Sequence, residues 1–225
     1  MATTIESTAA HALFTSYLSA IRAGDRKRAF EVIDNARGSG LDLASIYVGV
    51  FQPALREIGR LWQTNDISVA DEHLATAITQ AAMARAYESA FTWRAETGRT
   101  LIAACVDTER HEVGLRMLCD LLDLEGWQTT YLGASVPVES LVAMAQRRRP
   151  DVVALSAALS PHLSMVRAMI GAIHQTLGAE RPYVIVGGRP FLDDPSLAAR
   201  LGADFTASTA VDAVRLLGER VASRQ

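Results

Sequence analysis

Lysine is nearly missing from this sequence: of 22 Lys+Arg residues only Lys27 is lysine, a bias of genomic base composition rather than of function. Cysteine is scarce as well. Cys105 and Cys119 both lie in apolar surroundings, which excludes a disulfide scaffold and leads us to expect a reducing cytoplasm. An excess of one charge sign is lacking too. The first 97 residues hold 9 Lys+Arg and 11 Asp+Glu, the remainder 13 and 14, and the net charge is −3. Neither part is a basic module, so direct nucleic-acid binding is not expected. No apolar run is long enough to span a bilayer, and no membrane association is expected. Met1 to Glu6 carries neither a basic n-region nor an apolar h-region, so no signal peptide is expected. What is present is core-forming material: 225 residues, 49% hydrophobic and only 21% charged, enough for one large domain or two small ones and against general disorder.

The hydrophobic period changes near Gly98. Before it, Ala, Leu, Ile and Phe recur at three- and four-residue spacings, the mark of amphipathic helices. One helix is expected from Thr8 to Arg22, stopping at Gly24. A second is capped by Asp25 and ends at Gly38 to Gly40. A third is capped by Asp42 and runs to Gln63 with a kink at Pro53. A fourth opens on the loose capping box of Ser68 and Asp71 and runs to about Trp93. Four helices with short connections predict a bundle over residues 1–96.

After Gly98 short apolar runs alternate with helical stretches. Leu101–Val106, Thr129–Leu132, Val152–Ser156, Tyr183–Val186 and Asp204–Thr206 read as strands; His111–Leu124, Val138–Arg148, His162–Leu177 and Val211–Ala222 read as helices. Strands apolar on both faces, separated by helices, predict a doubly wound five-stranded parallel sheet over residues 97–225. Ligands of such sheets bind at the carboxyl ends of the strands, which directs attention to the loops after Val106, Leu132, Ser156 and Val186. In the first, His111 would face a ligand while Glu109 bonds its far ring nitrogen, fixing the tautomer and raising ligand basicity. Gly114 would let a bulky group approach the following helix. No Gly-x-Gly-x-x-Gly follows the first strand, which weighs against a dinucleotide. His162 and His174 are expected to face solvent or the sheet edge.

Glu109-Arg-His111-x-x-Gly114, then 41 residues to Ser156-Ala-Ala158, then 28 residues to Gly187-Gly188 resembles the cobalamin-binding signature Asp-x-His-x-x-Gly, Ser-x-Leu, Gly-Gly. Glu replaces Asp and Ala158 replaces Leu. Tyr131-Leu132-Gly133-x-x-x-Pro137 is similar to a further loop frequent in these domains. The resemblance covers about residues 98–225. It implies a flavodoxin-like cobalamin domain in which His111 is the lower axial cobalt ligand, Ser156 bonds the tail base and Gly187-Gly188 leave room for it. Imidazole nitrogen suits cobalt.

In the helical half, Trp62 is followed after nine residues by Glu72-His73. That spacing resembles CarH-type adenosylcobalamin photoreceptors. The resemblance implies a bundle capping the upper face of the corrin, with Trp62 stacked on the adenosyl group and Glu72 and His73 supporting the same pocket. It implies a light sensor, not a turnover enzyme. Such a protein would be a dimer or tetramer in the dark, with a protein effector or transcription regulator as partner. Two departures stand out: no MerR-type DNA-binding domain precedes the bundle in this sequence, and Gln63 stands where the best-known relatives have histidine. Rival readings are a corrinoid methyl carrier, whose first loop usually reads Gly-Asp-x-His-Asp-x-Gly-Lys-Asn, the small subunit of a mutase, and a cobalamin-binding antirepressor.

Overall fold

The computed structural model describes residues 2–91 and 95–222. The chain divides into two compact units, Met1–Thr92 and Trp93–Gln225.

The first unit is helical. Helix α1 (Ala2–Arg22) stops at Gly24, whose φ of +68° suits a residue without Cβ, and α2 (Arg26–Gly38) starts at once. The Asp25 carboxylate accepts from the Arg28 N–H at 2.9 Å and that of Asp42 from the Ser45 N–H at 2.6 Å, so both predicted caps form. Asp42 opens α3 (Leu43–Ile46), which runs through a π-helical turn at Tyr47–Phe51 into α4 (Gln52–Gln63). The expected disturbance at Pro53 takes this form. Proline lacks an N–H and crowds the carbonyl four residues back. The turn before it widens, and the Gln52 N–H donates to Tyr47 O, five residues back. The capping box is complete: Ser68 Oγ accepts from the Asp71 N–H, and the Asp71 carboxylate accepts from the Ser68 N–H. It opens α5 (Val69–Ala90). That helix ends three residues before the expected Trp93, which itself lies outside the described residues. Between the helices are packed Tyr17, Ile33, Phe51, Ile58, Ile78 and Met83, all nearly inaccessible. The buried Tyr17 hydroxyl donates to Thr79 Oγ1, which donates to Ala75 O, so neither is left unpaired.

The second unit alternates strand and helix as predicted: β1 (Thr100–Cys105), α6 (Val113–Leu124), β2 (Gln128–Tyr131), α7 (Val138–Arg148), β3 (Val152–Ser156), α8 (Leu163–Leu177), β4 (Tyr183–Gly187), α9 (Arg189–Asp193), α10 (Ser196–Leu201), β5 (Phe205–Thr206) and α11 (Ala210–Ala222). Helices α9 and α10 are too short for any hydrophobic period to reveal. All pairings are parallel, in the order β2-β1-β3-β4-β5. Ile102, Val153, Leu155, Val184 and Val186 face one core with Leu141, Met169 and Ile173; Leu101, Val152, Ala154 and Ile185 face the other with Leu118, Leu122 and Leu217. Both faces are covered, which is why the strands read as unbroken apolar runs. The chain leaves β1 toward one side for β2 and returns to the other side for β3. The crevice of the fold therefore opens at the carboxyl ends of β1 and β3.

The far edge of the sheet is tied by a forked ion pair. Arg181 donates to both oxygens of Asp204 at 2.7 and 2.9 Å, and the Val184 N–H adds a third bond. Burial pushes the Asp204 carboxyl up, but Arg181 and the amide outweigh it and hold it below the usual carboxylate range. Its folded pKa therefore lies below its unfolded one. The stabilisation is present above the unfolded value and is lost as pH falls through the folded one. Asp204→Asn is expected to lower Tm at neutral pH and to have a shrinking effect below about pH 4. Thermal melts of both proteins at the two pH values check this, and a constant difference would refute it.

Candidate functional site

The loop after β1 turns back through the Glu109 N–H bond to Val106 O and buries the Glu109 side chain completely. A buried carboxylate needs donors, and Glu109 has four. Oε1 accepts from the His111 N–H at 2.9 Å and the His111 Nδ1 at 2.5 Å; Oε2 accepts from the Ala158 N–H at 2.7 Å and the His162 Nδ1 at 2.8 Å. Burial alone would raise the Glu109 pKa, but the bonds from both histidines and both amides hold the carboxyl far below the ordinary range. Glu109 is therefore a carboxylate, and His111 gives it the Nδ1 proton. In the neutral ring the lone pair is then on Nε2, and the side chain is 48% exposed. This is the arrangement expected from the sequence, with one correction. His162 does not face solvent; at the carboxyl edge of the sheet it sits on Glu109, its side chain 18% exposed. Its only sequence signal is Pro161, which opens a short turn at Ser160–His162 and sets the histidine back over the strand ends.

The neighbouring loops hold this one in place. The Ser135 N–H donates to Glu109 O, and Ser135 Oγ accepts from the Thr108 N–H at 3.1 Å. Thr108 and Ser135 have φ of +67° and +52°, a strained region for a β-branched residue above all. The Cys105 thiol, pushed up to about 12 by burial and then by Glu109 and Glu112, stays protonated and lies 3.7 Å from His111 O. Tyr131 donates to Glu112 Oε2 at 2.9 Å, and Gly133 turns beside that carboxylate at φ +79°. Leu132 binds back to Ala103 O through its N–H.

Cys105, Ser156 and Gly187 stand opposite one another across β1, β3 and β4, a row of small side chains on one face at the carboxyl edge. A Cβ on Gly187 or Gly114 would meet nothing within 4 Å, whereas one on Gly188 would strike Ala157 O at 2.0 Å. The two glycines of the pair thus have different reasons: Gly188 lets the backbone of β3 approach, and Gly187 keeps ground open beside Ser156. In the helical unit, Trp62 lies in the last turn of α4 with 39% exposure. Glu72 lies in the first turn of α5, its carboxylate bonded by His73 Nδ1 at 2.6 Å and by Thr76 Oγ1 at 2.9 Å.

Among the described residues no group of three or more His, Cys, Asp or Glu side chains converges to hold a metal ion by itself. A single oriented imidazole beside open glycines fits instead a metal that arrives with most of its ligands, as cobalt does in a corrin. That describes a corrinoid-binding protein. A B12 binding domain model matches residues 99–215 and a second matches residues 13–87, so the chain belongs to the B12-binding family. It is 30% identical to the HTH-type transcriptional repressors CarA and CarH of Myxococcus xanthus, over 86% and 83% of its own length and 64% and 60% of theirs; it thus spans about three fifths of those proteins. It is 22% identical to trimethylamine corrinoid protein 1 of Methanosarcina acetivorans over 87% of this chain and 90% of that one. The structure of the Methanosarcina barkeri monomethylamine corrinoid protein has the same fold, with a TM-score of 0.81 at 18% identity over 93% of this chain and 99% of that one. The cofactor is accordingly a cobalamin or related corrinoid. No described helix is long and apolar enough to cross a membrane.

Proposed function

We propose that this chain is an adenosylcobalamin-binding light sensor that regulates a protein partner or transcription through a change in conformation or oligomeric state. The observation that carries the reading is the joint presence of the Glu109–His111 pair and the Trp62, Glu72–His73 set in a chain 30% identical to CarA and CarH over most of its length. When bound, adenosylcobalamin supplies a cobalt–carbon bond that green or shorter-wavelength light breaks. His111 would ligate the metal through Nε2, its ring held by Glu109. Ser156 would bond the tail base, Gly187 and Gly114 would leave it room, and Tyr131, Leu132 and Gly133 shape the adjoining loop. Trp62 would stack on the adenosyl group, and Glu72, steadied by His73 and Thr76, would accept hydrogen bonds from it. Gln63 offers no imidazole, so the lit form has no second histidine ligand from that position. Loss of the stacking partner of Trp62 would bias the helical unit between two states and change an interface. In this reading the protein is an oligomer in the dark and no turnover enzyme.

A corrinoid methyl carrier is the second reading, favoured by near-complete mutual coverage with trimethylamine corrinoid protein 1. Absorbance and size-exclusion chromatography of the protein loaded with adenosylcobalamin in the dark, before and after green light, separate the two. Spectral conversion with a changed elution volume, both weakened in Trp62→Ala, is the expected result. Tight binding without any light response beyond that of free cofactor would reject the sensor in favour of the carrier.

A further inference from the structure

His174 lies in the last turn of α8, near the Arg181–Asp204 pair at the far edge of the sheet. The chain leaves β4 at Gly187-Gly188, forms α9 and α10, and returns to pair with β4 as β5. That excursion packs on α8: Phe191, Ala198 and Leu201 share a core with Met169, Ile170 and Ile173. Helix α10 stops on Gly202 at φ +91°. A Cβ there would meet Ile170 Cγ2 at 3.4 Å and His174 Cε1 at 3.8 Å, so the imidazole closes against the turn between α10 and β5. Nε2 of His174 is inaccessible and has no hydrogen-bond partner among the described residues. We propose that His174 is an acid-sensitive latch on this excursion: uncharged, it seats the turn at Gly202; charged, it lets the turn go.

The two forms of the ring differ in cost. In the neutral ring Nε2 can be the nitrogen without a proton, and only a lone pair goes unpaired. In the charged ring both nitrogens carry protons. An N–H of a cation is then buried with no acceptor, which costs more than leaving a neutral group unpaired. The nearby charges divide. Arg181 opposes a proton on His174 and Asp204 favours one, but Asp204 is already taken by the Arg181 guanidinium and the Val184 N–H. Burial first, and Arg181 second, hold the ring below the usual histidine range. The other charged groups on the elements around α8 are turned elsewhere: Glu180 to Arg149, Arg200 to Asp194, Arg189 to Asp193, Arg147 to Met144 and Arg148 to Thr130. Glu139 is in the first turn of α7, at its other end, and Arg167 is exposed two turns back on α8. The folded pKa of His174 thus lies below its unfolded one, which is about 6.5. The stabilisation is complete above the unfolded value and is lost as pH falls toward the folded one. The excursion begins at the glycine pair of the site, so the latch makes that loop answer to acidity. None of this depends on what the site binds.

Amide hydrogen exchange of the full chain without cofactor tests the latch. At the latched turn Ala203 donates to Ala198 O at 2.9 Å; at the opposite side of the sheet Leu132 donates to Ala103 O at 2.8 Å. Corrected for intrinsic rates, protection of the Ala203 amide is expected to fall about fivefold or more between about pH 7 and pH 5, the low end of the cost of an unpaired buried group. Leu132 should keep its protection. The fall should be absent in His174→Gln and in His174→Phe, since neither side chain gains a proton. NMR of the parent gives a reading that needs no variant. The acceleration should begin near pH 6.5 and stop once the His174 ring has titrated in the folded chain.

An Ala203 amide indifferent to pH would overturn the proposal, as would a variant that folds and keeps the acid response. An equal loss at Leu132 would overturn it too, because acid would then loosen the whole unit rather than one turn. If neither variant folds, a response in the parent that runs on after the ring has titrated has the same force.

Discussion

Glu109→Ala is expected to destabilise the cofactor-free protein by several kcal/mol, since each buried donor left without its acceptor costs about 1–3 kcal/mol. Four donors lose their acceptor at once: the amides of His111 and Ala158 and the rings of His111 and His162. Corrinoid affinity should fall by about 10–100-fold, the usual effect of losing the group that orients a ligating histidine. Urea unfolding without cofactor and a hydroxocobalamin titration measure the two effects separately. A drop in stability with unchanged affinity would mean that Glu109 holds the loops together but does not prepare His111 for the metal.

Gly188→Ala should be nearly as damaging, for a steric reason. The added Cβ would lie 2.0 Å from Ala157 O and 2.6 Å from Ala157 C. Both are backbone atoms of the segment fastened to β4 by the Ala157 N–H bond to Gly187 O, so neither can swing aside. At φ +119° and ψ 174° the backbone is also in a region open essentially to glycine alone. A loss of several kcal/mol, or failure to fold, is expected. Gly187→Ala makes the contrast. Its Cβ meets nothing within 4 Å, so stability without cofactor should change by no more than about 0.5 kcal/mol. Binding of complete cobalamin should nevertheless weaken, and binding of cobinamide, which has no tail base, should not. Equal loss for both corrinoids, or for neither, would remove the tail from beside Gly187.

The sequence and the structure agree most closely where the governing physics is local. Asp25, Asp42 and Ser68 cap helices because a short polar side chain next to an apolar period has an amide three residues on within reach. The strands β1, β3 and β4 are legible because a strand covered on both sides must be apolar throughout. The Glu109–His111 bond was legible too, since two residues in one tight loop are near each other in any fold that makes the loop. Pro53 announced a disturbance, but the form it took, a π-helical turn ending two residues before the proline, depends on Tyr47 and Phe51 being held in the bundle core.

The sequence by itself determined the family, the alternation of the five strands with the longer helices, and the pairing of Glu109 with His111, because periodicity and spacing are properties of the chain alone. Only the tertiary structure decided that Gly187 and Gly188 serve opposite purposes, that Thr108 and Ser135 meet in strained conformations, and that His162 is bound to Glu109. Those depend on β1 and β3 lying side by side at the point where strand order reverses. The contact between Glu109 and His162 joins residues 53 apart, and no local pattern encodes which donor will reach the second oxygen of a buried carboxylate. The need for such a donor is dictated by desolvation; its identity is set by the crossing that brings the loop after β3 over the loop after β1.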